Sequence, residues 1–153
     1  MFAKKMIDLH ANHYRLWSID ESWLSEGDHR KMKWRKRGET NYASIKVIEP
    51  RIAIIVAISS DGLLYMACSQ VNTNQEVFSV FMEKFVAKLK TDDEFDNIPQ
   101  CMVFDNASYH TSDYMKATFA RLGVTMAFTS PYSWSTSSAE LFFAALKRTN
   151  LIP

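Results

Sequence analysis

Three carboxylates in this chain follow or open a predicted secondary-structure element, and their types and spacing suit phosphate chemistry. Asp20 ends the apolar run that begins at Leu16, Asp105 ends the run Cys101–Phe104, and Glu140 lies in the first turn of a predicted helix. In an open α/β sheet, functional side chains collect beyond the carboxyl ends of the strands. Three carboxylates at one sheet edge are suited to holding divalent metal for phosphate chemistry.

Each of these carboxylates also has a purely structural interpretation. A strand-end aspartate often caps the loop that follows it, and this applies to Asp20 and to Asp105. Ser137 and Glu140 have the spacing of a helix capping box, which explains the glutamate without metal. The spacing favours a shared site, because 34 residues separate Asp105 from Glu140. That interval accommodates one helix, one strand and a turn, which return the chain to the same sheet edge.

The elements that must position these carboxylates alternate in a regular order. A short helix over residues 2–10 is followed by the order β-β-β-α-β-α-β-α. The predicted strands are Arg15–Asp20, Arg51–Ile58, Leu63–Cys68, Cys101–Phe104 and Val124–Phe128. The predicted helices begin at the capping-box sequence Thr73–Glu76, at Ser112–Asp113 (stopping at Gly123), and near Glu140. Asp61-Gly62 between two apolar runs predicts an antiparallel hairpin. We therefore expect an α/β fold with a mixed central sheet, an antiparallel hairpin start and then βαβα, with helices on both faces.

Length and composition indicate one ordinary globular domain. The chain has 153 residues, of which 47% are apolar and 23% charged. No apolar run reaches the roughly 20 residues that span a bilayer, and no signal-peptide pattern is present. Cys68 and Cys101 lie in predicted strands without metal-site spacing, so we expect two buried, reduced thiols in an intracellular protein. The acidic segment 92–96 lacks EF-hand spacing and is expected to be a solvated loop.

The most basic segment of the chain lies between the first two predicted strands. It comprises Arg30, Lys31, Lys33, Trp34, Arg35, Lys36 and Arg37, six cations and one tryptophan within eight residues. Its position near the mouth of the proposed site favours contact with DNA. A solvated charged face and an import signal are the alternative interpretations.

Taken in order, these motifs resemble the catalytic domain of mariner-like transposases, members of the DDE superfamily that share the RNase H-like fold with retroviral integrases. The motifs are Ile19-Asp20-Glu21-Ser22, Trp34-Arg35-Lys36-Arg37-Gly38, Phe104-Asp105-Asn106-Ala107 with His110, Ser130-Pro131-Tyr132-Ser133, and Glu140 with Leu146-Lys147-Arg148. The interval between the second and third acids is the one characteristic of this branch. The chain departs from the family at Ser137-Ser138, where Asn-Pro is usual, and at Trp134, where proline is common.

The resemblance implies an RNase H-like DDE catalytic domain over residues 1–153. Residues 1–13 would be the remnant of a linker helix, and the family's upstream helix-turn-helix modules would be absent. The implied activity is divalent-metal-dependent DNA strand cleavage and strand transfer in transposition. Asp20, Asp105 and Glu140 would hold Mg²⁺ or Mn²⁺, as two ions, since clustered oxygen ligands favour these metals over zinc. Two alternatives stay open: a catalytically decayed or domesticated descendant that binds DNA or a partner, and another RNase H-like nuclease.

The implied partner is double-stranded DNA, both transposon ends and target, and a homodimer is also compatible with the resemblance. No membrane partner is expected, and a eukaryotic source would place the protein in the nucleus. Asn106, His110 and Lys147 are further candidate DNA contacts. Lys147 lies seven residues after Glu140 and hence on the same helix face. A structural histidine and a solvated lysine are the alternatives. Glu21 is excluded from the site because it points to the other side of its strand.

Overall fold

In a computed structural model, the described residues are 2–24, 37–38, 52–91, 97–130 and 137–148. The helices are α1 Phe2–Ala11, α2 Gln75–Leu89, α3 Asp113–Leu122 and α4 Ser138–Arg148. The strands are β1 Arg15–Leu24, β2 Ile52–Ser59, β3 Leu64–Ser69, β4 Gln100–Phe104 and β5 Thr125–Phe128. The predicted element order is confirmed. None of these helices is long and apolar enough to cross a membrane.

Some sequence predictions fall outside the described residues. They concern the basic residues 30–36, the acidic loop 92–96 and the motif residues 131–134. Of the basic segment, the structure describes only its end, where Arg37 and Gly38 form an exposed turn. Gly38 has a φ of 99°, which agrees with the turn predicted there.

The strands form one mixed sheet in the order β3-β2-β1-β4-β5. β2 pairs antiparallel with both β3 and β1, whereas β1–β4 and β4–β5 are parallel. The predicted antiparallel hairpin is confirmed, with Gly62 in its turn at a φ of 89°. β1 lies at the centre of the sheet. It extends to Leu24, four residues beyond the predicted end, because it pairs with β2 as far as Leu24 opposite Ile52.

The main core lies between the sheet and the pair of helices α2 and α3. β1 contributes Trp17 and Ile19, every second residue, to this core. Trp17 meets Phe85 of α2 edge to face, with ring centroids 4.8 Å apart. The buried side chains of α2 are Phe78, Ser79, Phe81, Met82, Phe85, Val86 and Leu89.

Helices α1 and α4 cover the opposite face of the sheet. The cluster under α4 contains Ile54, Val56, Ala139 and Phe143, and the cluster under α1 contains Leu9, Cys101 and Ala127. The prediction of helices on both faces is therefore confirmed.

Two local predictions are wrong, and both concern groups at the periphery of the fold. Helix α2 is capped by Asn74, whose side chain accepts a hydrogen bond from Val77 N–H at 2.9 Å, and Thr73 is not the cap. Cys68 is exposed rather than buried, because β3 is an edge strand whose alternate side chains face outward. The caps of α3 are as predicted, with Ser112 at its start and Gly123 at its end.

Candidate active site

The parallel pairing of β1 with β4 brings Asp20 and Asp105 to the same level of the sheet. Ser18 is the register partner of Val103, so Asp20 and Asp105 each follow two residues later on adjacent strands. Neighbouring strands lie about 4.8 Å apart. The two aspartates therefore meet at the carboxyl edge of the parallel strands, as the sequence predicts.

Helix α4 is attached to β1 beside Asp20. The hydroxyl of Ser18 lies 3.0 Å from that of Ser137 and accepts a longer hydrogen bond of 3.4 Å from Ala139 N–H. Ser137 Oγ also lies 3.4 Å from Glu140 N–H, which forms one half of the predicted capping box. These contacts place the first turn of α4, and with it Glu140, against β1 at Ser18, two residues before Asp20.

The pKa of Asp20 reflects its burial and the nearness of the other carboxylates. Burial is the largest cause that raises its pKa, and the negative charges of Glu21, Glu140 and Asp105 raise it further. A hydrogen bond from Glu21 N–H to Asp20 Oδ1, at 2.8 Å, acts in the opposite direction. The resulting pKa is about 7. Asp20 is therefore half protonated near neutral pH until a cation offsets the surrounding charge.

His110 connects Asp105 to β1 from the α2 side of the sheet. Its Nδ1 lies 2.7 Å from Asp105 Oδ1, and its Nε2 lies 3.1 Å from Glu21 Oε1. The residue is only 1% exposed. The rings of Phe78 and Phe104 lie against the imidazole, with centroids 4.6 and 5.5 Å away. A buried, apolar wall thus holds a polar ring whose two nitrogens each face a carboxylate.

The two carboxylates determine the charge of His110. Burial alone would lower the pKa of His110, but hydrogen bonds to Asp105 and Glu21 and the charges of both outweigh it and raise the pKa to about 9. In return, the hydrogen bond from His110, together with one from Ala107 N–H, holds the pKa of Asp105 below its ordinary value. His110 is therefore an imidazolium at neutral pH, and Asp105 is ionised.

The remaining candidate DNA contacts within the described residues are Asn106, Lys147 and His110. Asn106 spans the edge between β4 and β5, where its Nδ2 donates to Thr129 O at 2.5 Å. Lys147 is half-buried on α4. For both residues the DNA contact stays a prediction. The DNA contact of His110 also stays a prediction; in this structure both of its ring nitrogens face carboxylates.

Sequence reasoning missed two residues that shape this site. Glu21 does point to the opposite face from Asp20, but on that face it meets His110. Ser18 belongs to no motif, although it fastens α4 to β1. The alternation of a strand indicates which face each side chain takes, and it is the only sequence signal for either residue.

The donor set fits a hard divalent cation. Asp20, Asp105 and Glu140 offer carboxylate oxygens, which are ligands that Mg²⁺ and Mn²⁺ prefer. Burial raises the pKa of Asp20 most, and neighbouring negative charge, which a cation would compensate, raises it further. Among the described residues, no group of three or more His, Cys, Asp or Glu side chains is already close enough to form a metal site. The fit therefore rests on the chemistry of the three donors and on the sheet edge that they share.

Comparison with known proteins agrees with this architecture. Residues 15–151 match the family model described as DDE superfamily endonuclease. No curated protein sequence matches the chain. Among solved structures, the Mos1 mariner paired end complex with Mn matches with a TM-score of 0.72 at 16% identity, covering 96% of this chain and 46% of that one.

Two further structures show the same fold. The catalytic domain of Mos1 mariner transposase matches with a TM-score of 0.65 at 15% identity, over 94% of this chain and 63% of that one. A simian T-cell lymphotropic virus intasome in complex with PP2A regulatory subunit B56 gamma matches with a TM-score of 0.55 at 13% identity, over 87% and 37%. The chain spans under half the length of the Mos1 chain in the paired end complex. Its fold is RNase H-like, that of the Mos1 catalytic domain, and by its sequence the chain belongs to the DDE superfamily endonuclease family.

Proposed function

We propose that this chain is the catalytic domain of a mariner-like transposase, cleaving and transferring DNA strands with divalent metal held by Asp20, Asp105 and Glu140. The observation that carries the proposal is geometric: Asp20 and Asp105 lie at the same level of adjacent parallel strands, and the contacts of Ser18 bring the first turn of α4, with Glu140, to β1. Burial, and then the charges of Glu21, Glu140 and Asp105, raise the pKa of Asp20 to about 7. A loop-capping aspartate would not need three other carboxylates near it. Catalytic sites are where such mutual repulsion is retained.

The related structures support the choice of metal and substrate. Mos1 structures are described as a paired end complex with Mn, a catalytic domain with Raltegravir and Mg, and a strand transfer complex. By extension, we propose that this chain binds two ions of Mg²⁺ or Mn²⁺. Its DNA partner would be double-stranded, both the transposon ends and the target. Two copies of the chain acting together complete the proposal, and sedimentation of the protein with and without DNA ends tests it.

Bound divalent ions would supply an activated water and neutralise charge on the scissile phosphate. The chain's own residues would prepare the site for these ions in three ways. Asp20 must release its proton before it can act as a ligand, because its pKa is about 7. Asp105 is kept ionised by His110. Glu140 is brought to the edge by the contacts of Ser18 with the start of α4.

The test of catalysis is a nicking assay on duplex DNA, an RNA–DNA hybrid and branched DNA, with Mg²⁺, with Mn²⁺ and with a chelator. We expect metal-dependent nicking of duplex DNA, reduced on the order of 100-fold or more in Asp20→Asn, Asp105→Asn and Glu140→Gln. Glu83→Gln, which removes a carboxylate on α2 paired with Arg121, is the matched control and should retain activity. Metal binding without nicking would indicate a decayed copy, and preference for the hybrid or branched substrate would indicate a different nuclease.

The DNA-binding segment is tested separately by salt dependence. Replacing Lys33, Arg35 and Lys36 together by alanine should weaken duplex binding for all sequences, and the slope of log affinity against log salt should fall by up to about 0.9 for each phosphate that is no longer bound. A matched variant replaces the exposed lysines Lys84, Lys88 and Lys90. Equal slopes in the two variants would assign the basic segment to a partner surface or an import signal.

A further inference from the structure

The hydrogen bonds around His110 differ from those of an ordinary buried histidine. A neutral core histidine needs one donor and one acceptor as its partners. Here both partners are carboxylates, Asp105 at 2.7 Å and Glu21 at 3.1 Å. Both ring nitrogens must therefore donate, and the ring acts as a two-ended cationic connector between a loop and a strand.

The Glu21 end of this connector is itself fixed. Its side chain is only 10% exposed, and the phenol of Tyr109 also hydrogen-bonds to it. Glu21 belongs to β1, where its register partner is Ile55 of β2. Glu21 is thus an anchor with little freedom, directly after Asp20 in β1.

The Asp105 end of the connector involves one specific oxygen. The hydrogen bonds that Asp105 accepts from His110 Nδ1 and from Ala107 N–H both end on Oδ1. Within the described part of the chain, no hydrogen bond ends on Oδ2 of Asp105. The Asp105 side chain is 58% exposed. The arrangement therefore sets the orientation of the carboxylate and leaves its second oxygen free to bind a cation.

We propose that Glu21 and His110 are positioning residues, which hold Asp105 by its Oδ1 so that Oδ2 is directed to the metal. Neither residue would touch metal or DNA. This inference rests on the proposed metal-binding role of Asp105. Hydrogen-bonding partners behind a ligand typically change metal affinity by about 10- to 100-fold when they are removed.

Mn²⁺ titration of the full chain separates positioning from charge. His110→Ala removes a cation beside the site, so charge alone predicts tighter Mn²⁺ binding, whereas positioning predicts binding at least about tenfold weaker. Glu21→Ala should also weaken binding about tenfold. Glu21→Gln should retain most of the affinity, because its amide oxygen still accepts from Nε2. A pure charge effect would make the alanine and glutamine variants equal.

A double variant and a spectroscopic measurement complete the test. In the His110→Ala background, Glu21→Ala should cause no further loss of Mn²⁺ affinity, since its effect passes through the histidine. In the metal-free parent, ¹⁵N spectra should show two slowly exchanging ring N–H protons on His110, and Glu21→Ala should expose the Nε2 proton to exchange. Glu83→Ala is the control and should leave both measurements unchanged.

The outcomes of these experiments are distinct. If His110→Ala does not fold, the comparison of Glu21→Ala with Glu21→Gln decides. If Asp105→Asn weakens Mn²⁺ binding while Glu21→Ala and His110→Ala do not, the positioning role is overturned and the proposed function stands. If the parent does not bind Mn²⁺, or Asp105→Asn binds it equally well, the proposed function fails and this inference fails with it.

Discussion

Asp20→Asn should stabilise the metal-free protein at neutral and alkaline pH. The substitution keeps the shape of the side chain and the acceptor for Glu21 N–H, and it removes one charge from the group of carboxylates. The pKa of Asp20 is raised from 3.8 to about 7, chiefly by burial and then by the neighbouring negative charges. Ionisation of Asp20 therefore opposes folding, and the asparagine variant avoids this cost.

The pH window follows from the two pKa values. Below about pH 4 the carboxyl is protonated in both states, so parent and variant should have equal stability. From about pH 4 to pH 7 the unfolded chain releases its proton while the folded protein keeps it, so the parent loses stability as pH rises. At about 1.4 kcal/mol per pH unit the upper limit is roughly 4 kcal/mol. Because Asp20 is only half-buried, solvent screening reduces the expected gain to about 2 kcal/mol above pH 7.

Urea denaturation with a chelator, at pH 4 and pH 8, measures this difference. A gain of about 2 kcal/mol corresponds to a melting temperature higher by roughly 4–8 °C in a chain of this size. Asp8→Asn, at an exposed position of α1, serves as the control and should change stability by less than about 0.5 kcal/mol at either pH. An Asp20→Asn variant that is less stable than the parent at pH 8, or equally shifted at both pH values, would refute the raised pKa of Asp20.

Three further predictions concern the elements that carry the site. Ser18→Ala removes the contact with Ser137 and should cost about 1 kcal/mol and weaken Mn²⁺ binding in titration; unchanged affinity would mean that α4 is held by apolar packing alone. Asn74→Ala should cost about 1 kcal/mol in urea denaturation, whereas Thr73→Val should be neutral or stabilising, because the buried Thr73 hydroxyl has no hydrogen-bond partner within the described residues; the reverse ranking would restore Thr73 as the cap. Gly123→Ala should cost about 1–2 kcal/mol in the same assay, because Gly123 has a φ of 68°, which L residues disfavour. An added Cβ would meet no atom within 4 Å, so this cost comes from the backbone alone. A neutral result would show that α3 can end without the left-handed turn.

The strands and their order along the chain could be predicted, because local sequence patterns determine them. Apolar runs, the Asp61-Gly62 turn and the α/β alternation each require only neighbouring residues. The cap of α2 shows the limit of local reasoning. Thr73 and Asn74 are both good capping residues, and the choice depends on which of them packs under the helix. Cys68 shows the same limit, since an apolar run does not reveal whether its strand is central or at an edge.

The network behind the site could not be predicted, because its members are distant in sequence. Glu21 and His110 are 89 positions apart, and Ser18 and Ser137 are 119 positions apart. Strand alternation placed Glu21 on the correct face but could not show that a histidine lies opposite it. Placing the acids at strand ends required only the general rule for open sheets. Finding the residues that hold those acids required tertiary structure.

The central position of β1 has a consequence for the order of folding. The hairpin of β2 and β3 joins residues near in sequence, whereas β1 meets β4 across a long intervening chain: Trp17 Nε1 donates to Gln100 Oε1, 83 positions away. Closing such a loop has a large entropic cost, so contacts of high sequence separation form late. We therefore expect an early intermediate in which the hairpin and α2 have collapsed while Asp20 and Asp105 are still apart. In such a chain the acidic edge does not yet exist, so the proposed metal site would form only with the final docking of β4, and the proposed nuclease chemistry would be unavailable to the partly folded protein.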